Sequence, residues 1–235
     1  MSATSPKTDF RNRLAIALDT RHLDTAISIA KAVQPHIGVA KVGLELFSAE
    51  GHQAVRAMQD IGMNVFLDVK LHDIPSTVYG SSTVLGSLGV RYLTVHAAGG
   101  ITMLQAAVKG LNGGADEVGL PAPTVLAVTV LTSEPTAPPE LLNKRLAAAV
   151  AARCGGVICA ATDLPVIKGT APNIMTVVPG IRPTGVPTYD QGRVATPAQA
   201  IQGGADMLVI GRAVTAAEDP ARAAELIATE VGQAI

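Results

Sequence analysis

Asp68, Lys70 and Asp73 are the residues of this chain whose types and spacing point most directly to chemistry. They lie in the stretch Phe66-Leu67-Asp68-Val69-Lys70-Leu71-His72-Asp73-Ile74-Pro75-Ser76-Thr77. It opens as an apolar strand and ends at a Pro suited to the first turn of a helix. Side chains two apart on a strand share a face, so Asp68 and Lys70 are expected on one side and Val69 and Leu71 on the other. An ammonium held between carboxylates at a strand mouth is costly to bury and useful where charge develops. On local grounds Asp73 is equally suited to capping the helix that follows.

A second group of residues suggests anion binding. Gly211-Arg212 follows the apolar run 207–210. A Gly there lets a ligand approach the backbone, and Arg adds a planar donor fork suited to phosphate. The segment 179–193 is on the order of 15 residues long, punctuated by Gly and Pro, and carries Arg182, Gln191 and Arg193 as donors. It reads as a lid that grips a phosphate and excludes water. His96 reads as a hydrogen-bonded supporting group and His72 as structural. No histidine shows metal-ligand spacing.

These residues need a scaffold that gathers strand ends. Short β-branched runs at 14–18, 38–42, 64–69, 92–95, 125–130, 156–159, 174–178 and 207–210 read as eight strands. Between them lie helical patterns, among them 23–33, 51–61, 101–111, 139–152, 197–202 and 220–231. Thr196-Pro197 and Asp219-Pro220 place a capping oxygen before a Pro in the first turn. Apolar strands without strict alternation suit a parallel sheet covered on both faces. The expected architecture is an α/β (β/α)₈ TIM barrel, with an open doubly wound sheet as the alternative. In a barrel, Asp19, Lys41, Asp68, Lys70, His96, Thr132, Arg182, Gly211 and Arg212 would converge on the C-terminal rim. Arg13 and Arg91, at strand starts, are expected to be solvated.

Composition narrows the function. A chain of 235 residues that is 48% hydrophobic can bury one large core. It is expected to form one domain over 11–235 behind a loose tail, 1–10. A net charge of −1, no Trp and 3% aromatic residues argue against nucleic-acid binding. The stretch 1–13 is polar and unlike a signal peptide, and no apolar run is long enough to span a membrane. Cys154 and Cys159 have no zinc-ligand spacing and suit packing in a reducing cytoplasm.

Taken in order, Ala17-Leu18-Asp19, Ala40-Lys41-Val42-Gly43, the 68–77 signature, Thr94-Val95-His96-Ala97, Val130-Leu131-Thr132-Ser133, Pro179-Gly180-Ile181-Arg182, Asp190-Gln191 and Ile210-Gly211-Arg212 carry a family likeness. From Arg13 onward the chain resembles the orotidine 5′-monophosphate decarboxylase family. Asp-x-Lys-x-x-Asp alone is shared with sugar-phosphate decarboxylases, whereas its continuation into Ile-Pro-x-Thr is more specific.

The resemblance implies conversion of orotidine 5′-monophosphate to uridine 5′-monophosphate and CO₂ in pyrimidine synthesis, with no cofactor and no metal. It also implies a homodimer with shared sites. Lys70 would donate the proton, flanked by Asp68 and by Asp73 of the second subunit, with Ile74 and Thr77 in the same cross-subunit wall. Asp19 would bind ribose hydroxyls, and Lys41 would bridge Asp68 and the ribose. Thr132 would lie near the pyrimidine edge, and Arg182, Gln191, Gly211 and Arg212 around the 5′-phosphate. Gly192 departs from the larger or basic residue common in bacterial relatives. A magnesium-dependent keto-sugar-phosphate decarboxylase and a non-catalytic nucleotide-phosphate-binding barrel are the competing functions.

Overall fold

The computed structural model describes residues 10–131, 134, 138–183 and 194–235. The expected tail falls almost wholly outside them, as do Thr132, Gln191, Gly192 and Arg193. Eight strands are present among the described residues: β1 (Leu14–Leu18), β2 (Val39–Gly43), β3 (Asn64–Leu71), β4 (Tyr92–His96), β5 (Thr124–Val128), β6 (Gly156–Ile158), β7 (Met175–Val178) and β8 (Met207–Ile210). Each pairs in parallel with its neighbours in chain order, and β8 pairs with β1, closing a barrel. The open-sheet alternative is excluded by that last pairing.

The helices are α1 (Leu23–Val33), α2 (Leu44–Glu50), α3 (His52–Asp60), α4 (Pro75–Ser87), α5 (Gly100–Glu117), α6 (Pro139–Ala151), α7 (Leu164–Thr170), α8 (Pro197–Gln202), α9 (Arg212–Thr215) and α10 (Pro220–Gln233). Both expected caps form. Thr196 Oγ1 accepts the Gln199 N–H at 3.2 Å, and Asp219 Oδ1 accepts the Arg222 N–H at 3.0 Å. No helix among the described residues is long and apolar enough to cross a membrane.

Strand parity divides the core in two. Leu14, Ile16 and Leu18 of β1 face the helices with Ala40, Val42, Leu67, Leu93 and Ala127. Ala15, Ala17, Val39, Phe66, Tyr92, Leu126, Val128, Ile158, Val177, Met207 and Val209 fill the barrel interior. Because inward positions recur every second residue, Lys41 stands one layer above Val39, Asp68 above Phe66 and Thr94 above Tyr92. On β5, β6 and β8 the corresponding layer is apolar, with Val128, Ile158 and Val209. The mouth is therefore polar on one side and apolar on the other.

The lower end corrects one expectation. Arg13 donates from Nε to Asp206 O at 3.2 Å and from Nη2 to Ala205 O at 2.9 Å, and Arg91 Nη1 donates to Ala122 O. Neither is merely solvated, because each ties a helix-to-strand connection to the barrel floor. Nearby, Asp206 Oδ2 accepts from Lys168 Nζ, Thr176 N and Thr176 Oγ1. Burial pushes the Asp206 carboxyl up, but these hydrogen bonds and the Lys168 charge outweigh it and hold the group low. Cys154 and Cys159 are both buried, and burial pushes the Cys154 thiol up to about 12.

Candidate active site

The C-terminal mouth holds a cavity of about 440 Å³, into which Asp19, Lys41, Asp68, Lys70, Arg182, Gly211 and Arg212 all reach. Seven sequence-selected residues from β1–β3, β7 and β8 thus share one space.

Four of them form an alternating array of charge. Lys41 Nζ lies 3.1 Å from Asp19 Oδ1 and 3.5 Å from Asp68 Oδ2, and Lys70 Nζ lies 2.8 Å from Asp68 Oδ1. Lys41 is only 8% exposed. Burying its ammonium is tolerable because a carboxylate meets it on each side. Burial alone would raise the Asp68 carboxyl, but the charges of Lys41 and Lys70, with hydrogen bonds from Lys70 and Thr94, hold it below its ordinary value. Asp68 is therefore an anion at neutral pH, and it keeps both lysines oriented.

The backbone of β3 is not the plain strand that alternation anticipates. Leu67 pairs with Leu93 and Leu71 with Val95, so four steps on β3 match two on β4. The surplus residues bulge, and Lys70 takes a left-handed conformation with φ 48°. A non-Gly residue there costs about 1–2 kcal/mol. Thr94 secures the bulge: its hydroxyl accepts the Lys70 N–H at 2.9 Å and donates to Asp68 Oδ1 at 3.0 Å. One fully buried side chain thereby fixes both members of the Asp68–Lys70 pair. Spacing alone gave Thr94 no role, although its inward parity with Tyr92 was readable.

Gly43 is the other supporting residue without an assigned role. A Cβ there would stand 2.9 Å from Asp19 Oδ1 and 3.3 Å from Lys41 Nζ, so its absence makes room for that pair. The apolar wall opposite is built by Val128, Val130, Leu131 and Ile158. The strand expected to run to residue 130 ends at Val128, but Val130 still faces the cavity.

Around the anion-suited corner, Gly211 precedes α9 and Arg212 opens it. Arg182 is buried, and its backbone N–H donates to Ala195 O at 2.9 Å, joining the chain just after β7 to the chain just before α8. Pro179, Gly180 and Thr215 complete this side.

Asp73, Ile74 and Thr77 are all exposed and do not line the cavity of their own chain. Asp73 does not cap α4 in the ordinary way. Its Oδ1 accepts the N–H of Ile74, which itself occupies the N-cap position. Asp73 forms no ion pair among the described residues, and Lys70 pairs there with Asp68 alone.

A family model described as orotidine 5′-phosphate decarboxylase / HUMPS family matches residues 12–227. The chain belongs to this family. A relative from Anaeromyxobacter sp. (strain K), named orotidine 5′-phosphate decarboxylase, is 47% identical over 227 residues, covering 92% of this chain and 96% of its own. A second so named, from Moorella thermoacetica, is 41% identical and covers 94% and 92%. The crystal structure of orotidine 5′-phosphate decarboxylase from Lactobacillus acidophilus matches with a TM-score of 0.77 at 33% identity, covering 94% of this chain and 99% of that one. Orotidine 5′-phosphate decarboxylases are carboxy-lyases, and their barrel is the one found here.

Proposed function

We propose that this chain decarboxylates orotidine 5′-monophosphate to uridine 5′-monophosphate and CO₂, without a cofactor, in pyrimidine nucleotide synthesis. The Asp19–Lys41–Asp68–Lys70 array, facing an apolar wall and adjoining the Arg182–Gly211–Arg212 corner, carries the reading. Such a cavity suits a ligand with a flat ring at one end, a hydroxylated sugar in the middle and a dianion at the other.

The chemistry follows from charge. As the bond from C6 of the pyrimidine to its carboxyl carbon breaks, the electron pair stays on C6 in an orbital the ring cannot delocalise. The Lys70 ammonium stabilises that charge and passes a proton to C6, and the resulting amine regains its proton from solvent. Asp68 keeps Lys70 charged and aimed. Lys41 and Asp19 take the ribose hydroxyls. Arg182, Gly211 and Arg212, with Gln191, bind the 5′-phosphate, and contacts this far from C6 hold the ring in place. Thr132 meets the pyrimidine edge.

The site is completed by a second copy of the chain. Asp73 would supply the second carboxylate beside Lys70, with Ile74 and Thr77 walling the same sector. Supporting this, Leu44, Ile74, Tyr79 and Ile101 are between 41% and 64% exposed and follow the adjacent strands β2, β3 and β4. Large apolar side chains on neighbouring sectors of a rim suit an interface. The enzyme would work in the cytoplasm, where its substrate is made.

A magnesium-dependent sugar-phosphate decarboxylase would need a divalent ion near Asp19 and Asp68, where the Lys41 ammonium already sits between them. The direct test is loss of orotidine 5′-monophosphate absorbance on mixing with the purified protein in EDTA. Full activity in EDTA supports the reading. No loss, or loss only with added magnesium, contradicts it.

A further inference from the structure

His72 and His96 lie beside the charge array without belonging to it. Their rings stack with centroids 5.3 Å apart and planes 26° from parallel. His96 ends β4, and its Nδ1 accepts the Ala98 N–H at 3.2 Å, capping the turn Ala97–Gly99 that leads into α5. That turn closes on the other histidine: a Cβ on Gly99 would stand 3.3 Å from His72 Cδ2. The His72 ring therefore rests against both His96 and the turn His96 caps.

His72 occupies the short stretch of chain between Lys70 and Asp73. Lys70 carries the left-handed backbone that leaves the bulge, and three residues later Asp73 faces outward. A chain leaving an unfavourable φ needs an anchor to hold its direction. We infer that the stacked His72–His96 pair is that anchor, making both histidines positioning residues that set the direction in which Asp73 is presented to the Lys70 of a second copy.

The pair needs a particular protonation state. With Nδ1 of His96 accepting a hydrogen bond, its ring proton belongs on Nε2; a second proton would point at the Ala98 N–H and break the cap. The groups that face His96 are His72 and Lys70 on the β3 side, Arg145 on α6 and Glu134 after β5. Burial first, then Arg145, His72 and Lys70, disfavour a charge there against the single opposing acid, so His96 titrates below its ordinary value. His96 is thus the neutral member of the stack at pH 7.

The inference rests on the decarboxylase reading, and two measurements separate them. Steady-state turnover of orotidine 5′-monophosphate by the wild-type protein tests the parent reading. Against that baseline, His72→Ala should lower kcat about tenfold or more by releasing the turn, the scale expected for a misplacement near 1 Å. His72→Phe, which restores a flat ring, should return kcat to within about threefold of wild type. An Ala variant within twofold of wild type, or equal losses in the Ala and Phe variants, would overturn the inference and leave the parent reading standing. Independently of turnover, a long-range ¹H–¹⁵N spectrum at pH 7 should show His96 as the neutral Nε2–H tautomer. An Nδ1–H or doubly protonated His96 would overturn it even with an inactive wild type.

Discussion

The Thr94 hydroxyl donates to Asp68 Oδ1 at 3.0 Å across the seam between β3 and β4, where the two strands fall out of register. The same oxygen accepts the Lys70 N–H, so it holds a side chain and a strained backbone at once. Thr94→Val keeps the shape and removes both bonds. It should destabilise the protein by about 1–3 kcal/mol, the cost of leaving buried polar groups unpaired. Turnover should fall roughly tenfold or more. Thermal unfolding and steady-state kinetics check both; an unaltered kcat would mean that the bulge holds itself.

Gly43→Ala tests the sugar-facing half of the array. The backbone tolerates Ala at φ −88°, so folding should be nearly unaffected. The new Cβ would push Asp19 away from Lys41. KM for the nucleotide should rise roughly fivefold, about 1 kcal/mol, with kcat changed less. A fall in kcat at constant KM would assign Asp19 and Lys41 to the chemical step instead.

Arg212→Ala tests the anion corner. A guanidinium bound to phosphate contributes about 1.5–3 kcal/mol, so kcat/KM for the phosphorylated substrate should fall roughly ten- to hundredfold. The phosphate-free nucleoside should be turned over no worse than by wild type. Equal losses on both substrates would move Arg212 away from the phosphate.

Acid stability follows from three groups shifted the same way. Asp68 and Asp206 are held below the ordinary carboxylate value of 3.8, and His96 below 6.5. A depressed folded-state pKa means that the unfolded chain binds protons more readily. Each contribution is therefore present above the ordinary value and is lost as pH falls past it. The unfolding temperature should begin to drop below about pH 6.5 and fall more steeply below about pH 4. Asp206→Asn should flatten the steeper part. An unfolding temperature equal at pH 3 and pH 7 would contradict these shifts.

The barrel was readable because its signals are local. β1, β8 and α1 stand where β-branched runs and helical periodicity put them, and α8 begins where the Thr196-Pro197 cap put it. The short helices α2, α7 and α9 were not singled out, since four to seven residues show too little periodicity and depend on packing against the barrel. The meeting of Asp68 and Lys70 was anticipated for an incomplete reason. Alternation gave the shared face, whereas a bulge and a left-handed Lys70 provide the actual approach. A constant strand period cannot reveal a change of register, and the partner that stabilises it, Thr94, comes from another strand. Arg13 and Arg91 were misjudged because their acceptors are backbone carbonyls, which every residue has and no pattern marks. Asp73 was the hardest case, because its proposed role depends on a second copy of the chain.

Lys70→Ala is the most direct measurement of all. The variant should fold, with an unchanged far-ultraviolet circular dichroism spectrum, because Lys70 lies on the rim and not in the core. Its turnover of orotidine 5′-monophosphate should fall by about 10⁴-fold or more, as the proton donor and the charge facing C6 are lost together. A folded Lys70→Ala protein that still decarboxylates at a rate near wild type would contradict the account.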